Sequence, residues 1–350
     1  MPDSKSGPFS SQGIRAVLKR LSPPRTVIKA ETAPLMLAEP RDRPFSDPAW
    51  LFELKLDGYR LLATCVSGKP RLFSRNGNDL SAGFPEVSRA VAALPLDGLL
   101  LDGEVVALDG SGRPSFQRLQ QRAKLTRSLD IRQAAVDIPV TFFAFDLLAA
   151  EGFDLRPLPL STRKALLLKL LSSGGEIRYL DHVEGDGELL YQEVLKLGLE
   201  GILAKRADSP YRSGRSPTWL KIRTRLSDDF VVVGFTASRG ARTGFGALLL
   251  GQYVDGILIY SGRAGTGFSD RQLTQVRATL EETRRARAPC GGPIPQERGL
   301  TWVEPRLVCE VKFTQRTDDG LLRQPVFLRF RNDKRMEECV RLRSGAPSHG

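Results

Sequence analysis

The octet Glu53-Leu54-Lys55-Leu56-Asp57-Gly58-Tyr59-Arg60 sets charged side chains into an apolar run. A lysine there costs desolvation unless it is paired or used. Burial and neighbouring cations lower a lysine's proton affinity, which makes its amine a usable nucleophile. Read as a strand, the alternation sends Glu53, Lys55 and Asp57 to one face. Taken alone, a solvated strand face with an internal salt bridge accounts for the octet equally well. The same anomaly recurs downstream, in Leu101-Asp102-Gly103-Glu104, Phe143-Ala144-Phe145-Asp146, Glu200-Gly201-Ile202-Leu203-Ala204-Lys205 and Trp219-Leu220-Lys221-Ile222-Arg223. Five such segments predict a polar interior cavity, and spare carboxylates with several cations suit a triphosphate with Mg²⁺.

Other chemistries lack parts. The only histidines are His182 and His349, too few for a Ser-His-Asp or His-ligated metal scheme, and His182 reads as a surface or loop residue. A GxxxxGK[ST] loop is missing, and the glycines at 244–246 and 265–267 read as β-turns. The four cysteines are far apart, without CxxC pairing, and read as reduced thiols.

The elements that must position these residues alternate irregularly, which predicts an α+β domain. Strands are expected over 51–56, 61–66, 71–74, 99–108, 140–148, 201–205 and 219–223, with helices over 84–94, 163–171 and 187–197. Residues 1–30 read as a flexible lead holding one short helix near 14–21 and no chemistry. The polar stretch 224–229 marks a boundary between a domain over 31–226 and a second over 227–350. The second shows short, evenly spaced strands and one inserted helix over 270–287, the pattern of a small barrel. The chain carries 52 basic against 40 acidic residues, a net charge of +12. That excess is spread over both halves and favours a polyanionic partner through counterion release. No apolar run approaches a signal peptide or a membrane span, so a cytoplasmic, nucleoid-associated protein without membrane contact is expected.

KxDGxR at 55–60, with the later segments in order, resembles the covalent nucleotidyltransferases: DNA ligases, RNA ligases and mRNA capping enzymes. The resemblance runs over about residues 34–343. The wording around Ser74-Arg75-Asn76-Gly77, at 200–211, at 242–246 and at 325–327 looks closest to the ligase module of bacterial end-joining ligases. It implies an α+β nucleotidyltransferase (adenylation) domain followed by a β-barrel OB-fold domain, and an ATP-dependent DNA ligase of repair or end joining. Lys55 would carry AMP covalently. Glu53 would lie at the adenine edge, Arg60 and Glu104 at the ribose, and Phe145 would stack on the base. Asp57, Glu104 and Glu200 would hold Mg²⁺ or Mn²⁺, Lys221 would stabilise α-phosphate charge, and Arg75 would grip the 5′-phosphate of a nick. Arg331-Asn332-Asp333-Lys334 matches the family's RxDK segment, so Arg331 and Lys334 would orient pyrophosphate, with a hinge at 224–229 letting the second domain swing. One departure is visible: the usual KxK reads Lys221-Ile222-Arg223, which keeps the charge and changes donor geometry. The implied partners are nicked or broken duplex DNA and a Ku-type end binder, with the chain acting as a monomer. An RNA ligase, a GTP-using capping enzyme and an inactive DNA-binding scaffold are the alternatives.

Overall fold

The computed structural model describes residues 11–26, 28–110, 112–171, 175–224, 227–238, 244–295, 297 and 299–341. The lead's first ten residues, His349, two residues of the 242–246 segment and two residues of the expected hinge lie outside that set. The chain divides into two compact units, Met1–Thr224 and Arg225–Gly350.

The first unit holds strands β1 (Met36–Pro40), β2 (Asp47–Leu54), β3 (Tyr59–Val66), β4 (Lys69–Ser74), β5 (Leu99–Ala107), β6 (Val140–Ala150), β7 (Phe153–Asp154), β8 (Ile177–Tyr179), β9 (His182–Gly185), β10 (Gly201–Arg206) and β11 (Gly214–Arg223). Its helices are α1 (Ser11–Leu21), α2 (Pro85–Ala92), α3 (Phe116–Ala123), α4 (Ser128–Asp137), α5 (Leu160–Leu170) and α6 (Gly187–Lys196). One sheet runs β1-β11-β10-β2-β9, and the other runs β4-β3-β5-β6-β7 with β8 on β6. The β3–β4 hairpin turns at Ser67 and Gly68, both at positive φ (51° and 73°), as a two-residue turn with right-handed strand twist demands. On β5, a Cβ at Gly103 would meet the Phe142 ring at 2.5 Å, so only glycine lets β5 and β6 approach. Leu101, Phe142, Phe84, Leu166 and Leu167 close the core between this sheet and its helices. Truncating Phe142 there would cost about 3–5 kcal/mol.

Three expectations are corrected here. The short helix expected near 14–21 is present as α1, but it is no flexible lead: its Ile14 and Leu18 lie one helical turn apart and are fully buried in the first core. Arg15 ties the helix to Glu151 at 3.0 Å. Lys55 does not lie within a strand: β2 ends at Leu54 and the chain crosses to the second sheet through 55–58. The crossing is forced at Gly58, where a Cβ would meet the Val105 carbonyl at 2.2 Å. Finally, α3 and α4 occupy a stretch with no expected element. Ser115 caps α3 by accepting from Arg118 N, and its polar sequence hides a fully buried Arg122 on Glu86.

The second unit contains β12 (Ser227–Ala237), β13 (Phe245–Val254), β14 (Ile257–Ala264), α7 (Asp270–Glu281), β15 (Arg284–Arg285), β16 (Leu300–Val303), β17 (Val308–Lys312), β18 (Gln315–Arg316), β19 (Leu322–Arg323) and β20 (Val326–Phe330). Helix α7 is six residues shorter at its end than expected, because Arg284 and Arg285 pair with β16. Strand β12 pairs with β17 through its first half and β16 through its second, so the sheet curls. The path β14-β13-β12-β17-β20 returns on itself where Thr266 bridges to Val326. That is the OB barrel, packed around Phe230, Phe245, Leu250 and Phe327. Among the described residues, no helix is long and apolar enough to cross a membrane.

Candidate active site

Register across β2, β10 and β11 builds the first half of the site. Leu51, Lys205 and Trp219 form one cross-strand row, Glu53, Leu203 and Lys221 the next, and Gly201 faces Arg223 in a third. Lys55 N donates to the Gly201 carbonyl at 2.9 Å, extending that last row beyond the end of β2. Alternation places these side chains on one face, while Phe52, Ile202, Ala204 and Ile222 fill the core behind the other. Gly201 is required, since its Cβ would meet the Ile222 carbonyl at 2.2 Å. It leaves no side chain between Lys55 and Arg223.

Lys55 forms an ion pair with Glu200, and Arg223 Nε lies 3.9 Å from the same carboxylate oxygen. The Lys55 and Glu200 side chains remain 19% and 18% exposed, so this pair, at the ends of two inner strands, is reachable from solvent. Glu53 differs. Its carboxylate is fully buried, with Oε1 on Lys164 at 2.5 Å and Oε2 on Lys205 at 2.5 Å. Burial alone would raise the proton affinity of Glu53, but the two ammonium groups outweigh it and hold the carboxyl below the ordinary range. Burial pushes Lys205 down despite Glu53. Lys205 Nζ also lies 4.1 Å and 4.2 Å from the Phe145 and Trp219 ring centroids. The expected common face for Glu53, Lys55 and Asp57 therefore fails: Glu53 is inside, while Lys55 and Asp57 sit half-buried in the crossing segment.

The second sheet supplies the rest. Arg60 and Glu104 are cross-strand partners on β3 and β5. Asp102, two residues before Glu104, holds Arg60 in a two-pronged pair at 2.9 and 2.6 Å. Arg60 also donates to the Met36 carbonyl at 2.7 Å and to Tyr211 Oη at 3.2 Å, and Tyr211 donates to Asp102 at 2.7 Å. Burial weakens the guanidinium's hold on its proton, yet Asp102 overcomes this and raises it well above the ordinary arginine value. Phe145 is buried edge-on to Trp219, with their ring centroids 6.1 Å apart. Arg75 sits half-buried in the tight turn after β4, where Gly77 N donates to the Ser74 carbonyl at 2.9 Å. Asp146 is no site acid: Arg163 neutralises it inside the core at 2.7 and 2.9 Å. His182 is part-buried on a strand and not in a loop. It lies on β9 with Nδ1 2.9 Å from Tyr179 Oη, and burial lowers its proton affinity.

Lys164, Asp102 and Tyr211 had no expected role. A signal existed only for Asp102, a carboxylate inside the quoted strand. Arg331 and Lys334 belong to the second unit. There Arg331 pairs with Asp333 at 2.9 and 2.7 Å and with Asp229 at 3.3 Å, and Lys334 pairs with Asp229. Among the described residues, no three acidic, histidine or cysteine side chains converge as a metal cage.

A two-sheet α+β unit followed by an OB fold is the nucleotidyltransferase architecture of the DNA ligases. Within that class the chain belongs to the ATP-dependent DNA ligase family. Residues 35–223 match the ATP dependent DNA ligase domain, and residues 241–334 match the ATP dependent DNA ligase C terminal region. The chain is 39% identical over 327 residues to the multifunctional non-homologous end joining protein LigD of Pseudomonas aeruginosa, covering 91% of this chain and 37% of that protein. The LigD of Mycolicibacterium smegmatis is 34% identical over 342 residues, covering 97% and 43% respectively. The chain thus spans less than half the length of these relatives. The solved structure of mycobacterial DNA ligase D complexed with ATP and MES superposes with a TM-score of 0.62 at 34% identity, covering 90% of this chain and 100% of that one.

Proposed function

We propose that this chain seals breaks in duplex DNA in three steps. Lys55 Nζ attacks the α-phosphorus of ATP, forming a P–N bond as pyrophosphate leaves and the amine loses its proton. AMP passes to the 5′-phosphate at the break. The 3′-hydroxyl then attacks that phosphate, joins the strands and releases AMP. The observation that carries this reading is the Lys55–Glu200 pair, reachable at the strand ends near Lys221 and Arg223, in a chain of the ATP-dependent DNA ligase family.

The remaining side chains divide the work. Glu53 faces the adenine edge, Phe145 stacks on the base, and Arg60 with Glu104 serves the ribose. Asp102 and Tyr211 already engage most of Arg60's donors, so it meets a ligand with its orientation fixed. Lys221 and Arg223 offset charge on the α-phosphate, as positioned donors do where charge develops. Asp57, Glu104 and Glu200 would hold Mg²⁺ or Mn²⁺. Magnesium is commonly held by one or two carboxylates with phosphate oxygens and water, which fits a site without a three-residue cage. When bound, the ion neutralises phosphate charge. Arg331 and Lys334 serve the pyrophosphate, and Arg75 the 5′-phosphate of the break.

The net charge of +12 fits a DNA partner, and the length shared with LigD proteins fits an end-joining role beside a Ku-type end binder. A monomer working at the nucleoid in the cytoplasm completes the reading. Denaturing electrophoresis of a nicked duplex tests it: ATP with Mg²⁺ should give full-length strands, GTP should not, and an all-RNA nick should lag. Sealing confined to RNA, or driven by GTP, would move the chain to an RNA ligase or capping-type enzyme.

A further inference from the structure

Lys164 lies outside every motif segment, yet α5 carries it, almost fully buried, to the base of the site. Its ammonium donates to Glu53 Oε1 at 2.5 Å and to the Leu180 carbonyl at 3.0 Å, and lies 4.5 Å from the Tyr179 ring centroid. The second Glu53 oxygen faces Lys205, itself lodged against Phe145 and Trp219. Glu53 is therefore gripped from two elements, α5 and β10. It faces a third strand as well, through its register partner His182 on β9.

An ionised carboxylate only accepts hydrogen bonds, whereas a protonated one can also donate. The 6-amino group of adenine is a donor, and the 6-oxo group of guanine or hypoxanthine is an acceptor. A fixed, charged carboxylate thus rewards the first and sets lone pair against lone pair with the second. Lys205 alone could keep Glu53 charged, but one partner leaves the other oxygen free to turn. The second grip, from Lys164, is what fixes direction.

We propose that Lys164 is a specificity-setting positioning residue: by holding Glu53 it presents an acceptor-only edge and makes the site choose 6-amino over 6-oxo purine nucleotides. The proposal rests on the reading that Glu53 faces the adenine edge. Its test compares ATP with inosine triphosphate as donors for nucleotide transfer to Lys55. Lys164→Gln keeps a donor for the Leu180 carbonyl and removes the charge. It should lower the ATP-to-ITP ratio of kcat/KM roughly tenfold, chiefly through a higher KM for ATP, the scale of one hydrogen bond to a charged group. Lys164→Arg should recover most of the ratio. A merely structural role would slow both nucleotides alike and leave the ratio intact, which overturns the proposal. Should the Lys164 variants fail to fold, Glu53→Gln decides: its amide can donate, so the preference should vanish, and a retained preference overturns the proposal. If the unsubstituted chain takes up AMP but these ratios never move, this inference alone fails. If it takes up no nucleotide, the ligase reading fails and carries this inference with it.

Discussion

Two lysine–glutamate pairs join β2 to β10 in opposite senses. Lys55, just past β2, pairs with Glu200, just before β10, while Glu53 inside β2 pairs with Lys205 inside β10. The first pair is 19% and 18% exposed, the second 0% and 0%. The second is also covered by Phe145, Trp219 and Lys164. Their sequence context is nearly the same, since each charge interrupts an apolar run. What separates them is access. A pair at the strand ends can open to a phosphate, whereas the Lys205 ammonium under two aromatic rings is closed to one and serves to hold Glu53 in place. A charge in an apolar strand is thus evidence of pairing, and its position along the strand decides between chemistry and architecture.

Substitutions at the two lysines should separate these roles. Lys55→Ala should lower sealing of a nicked duplex on the order of a thousandfold or more, with thermal unfolding little changed, because a partly exposed pair contributes little stability. Lys205→Met should do the reverse in kind. It breaks a buried pair and should cost about 3–5 kcal/mol in urea denaturation, as one ammonium must then hold Glu53. A Lys205→Met chain as stable as the unsubstituted one would show that the buried pair is no strut.

A smaller effect concerns acid. Glu53 is held below the ordinary carboxylate range, so its pairing adds stability above that range, and this is lost as pH falls through the depressed folded value. Lys164→Gln weakens the depression, so its acid unfolding midpoint should move to higher pH, and an unmoved midpoint would break the account of the pair. The smallest effect is expected at Arg223→Lys, which restores the usual motif. At 3.9 Å from Glu200 the arginine makes a long contact, and sealing should change less than about fivefold. A much faster variant would show that the substitution limits this enzyme.

The motif residues were legible because each lies in a short apolar segment that it interrupts. That singled out Lys55, Glu104, Glu200 and Lys221 as candidates, while Phe145 and the individual roles came only from the family resemblance; most strands of both units were legible from alternation. Partners distant in sequence were not legible: Lys164 and Glu53 are 111 positions apart, and Tyr211 and Asp102 are 109 apart. Helix α5 carries Lys164 and the loop before β11 carries Tyr211, so only tertiary packing brings these partners together. A short helix near 14–21 was legible, but its burial was not, because its apolar residues stand among serines, prolines and cations. The place where β2 stops was hidden for a different reason. Periodicity continues through Lys55 and Asp57, although β2 ends at Leu54 and the chain then passes close under Val105 at Gly58.

The contrast between the two lysines is tested most directly by intact-mass measurement after incubation with ATP and Mg²⁺. The unsubstituted chain should gain one AMP, Lys55→Ala none, and folded Lys205→Met should still gain one, with the modified peptide containing Lys55. An adduct that persists in Lys55→Ala, or maps to Lys205, would contradict the assignment of the reachable lysine as the nucleophile.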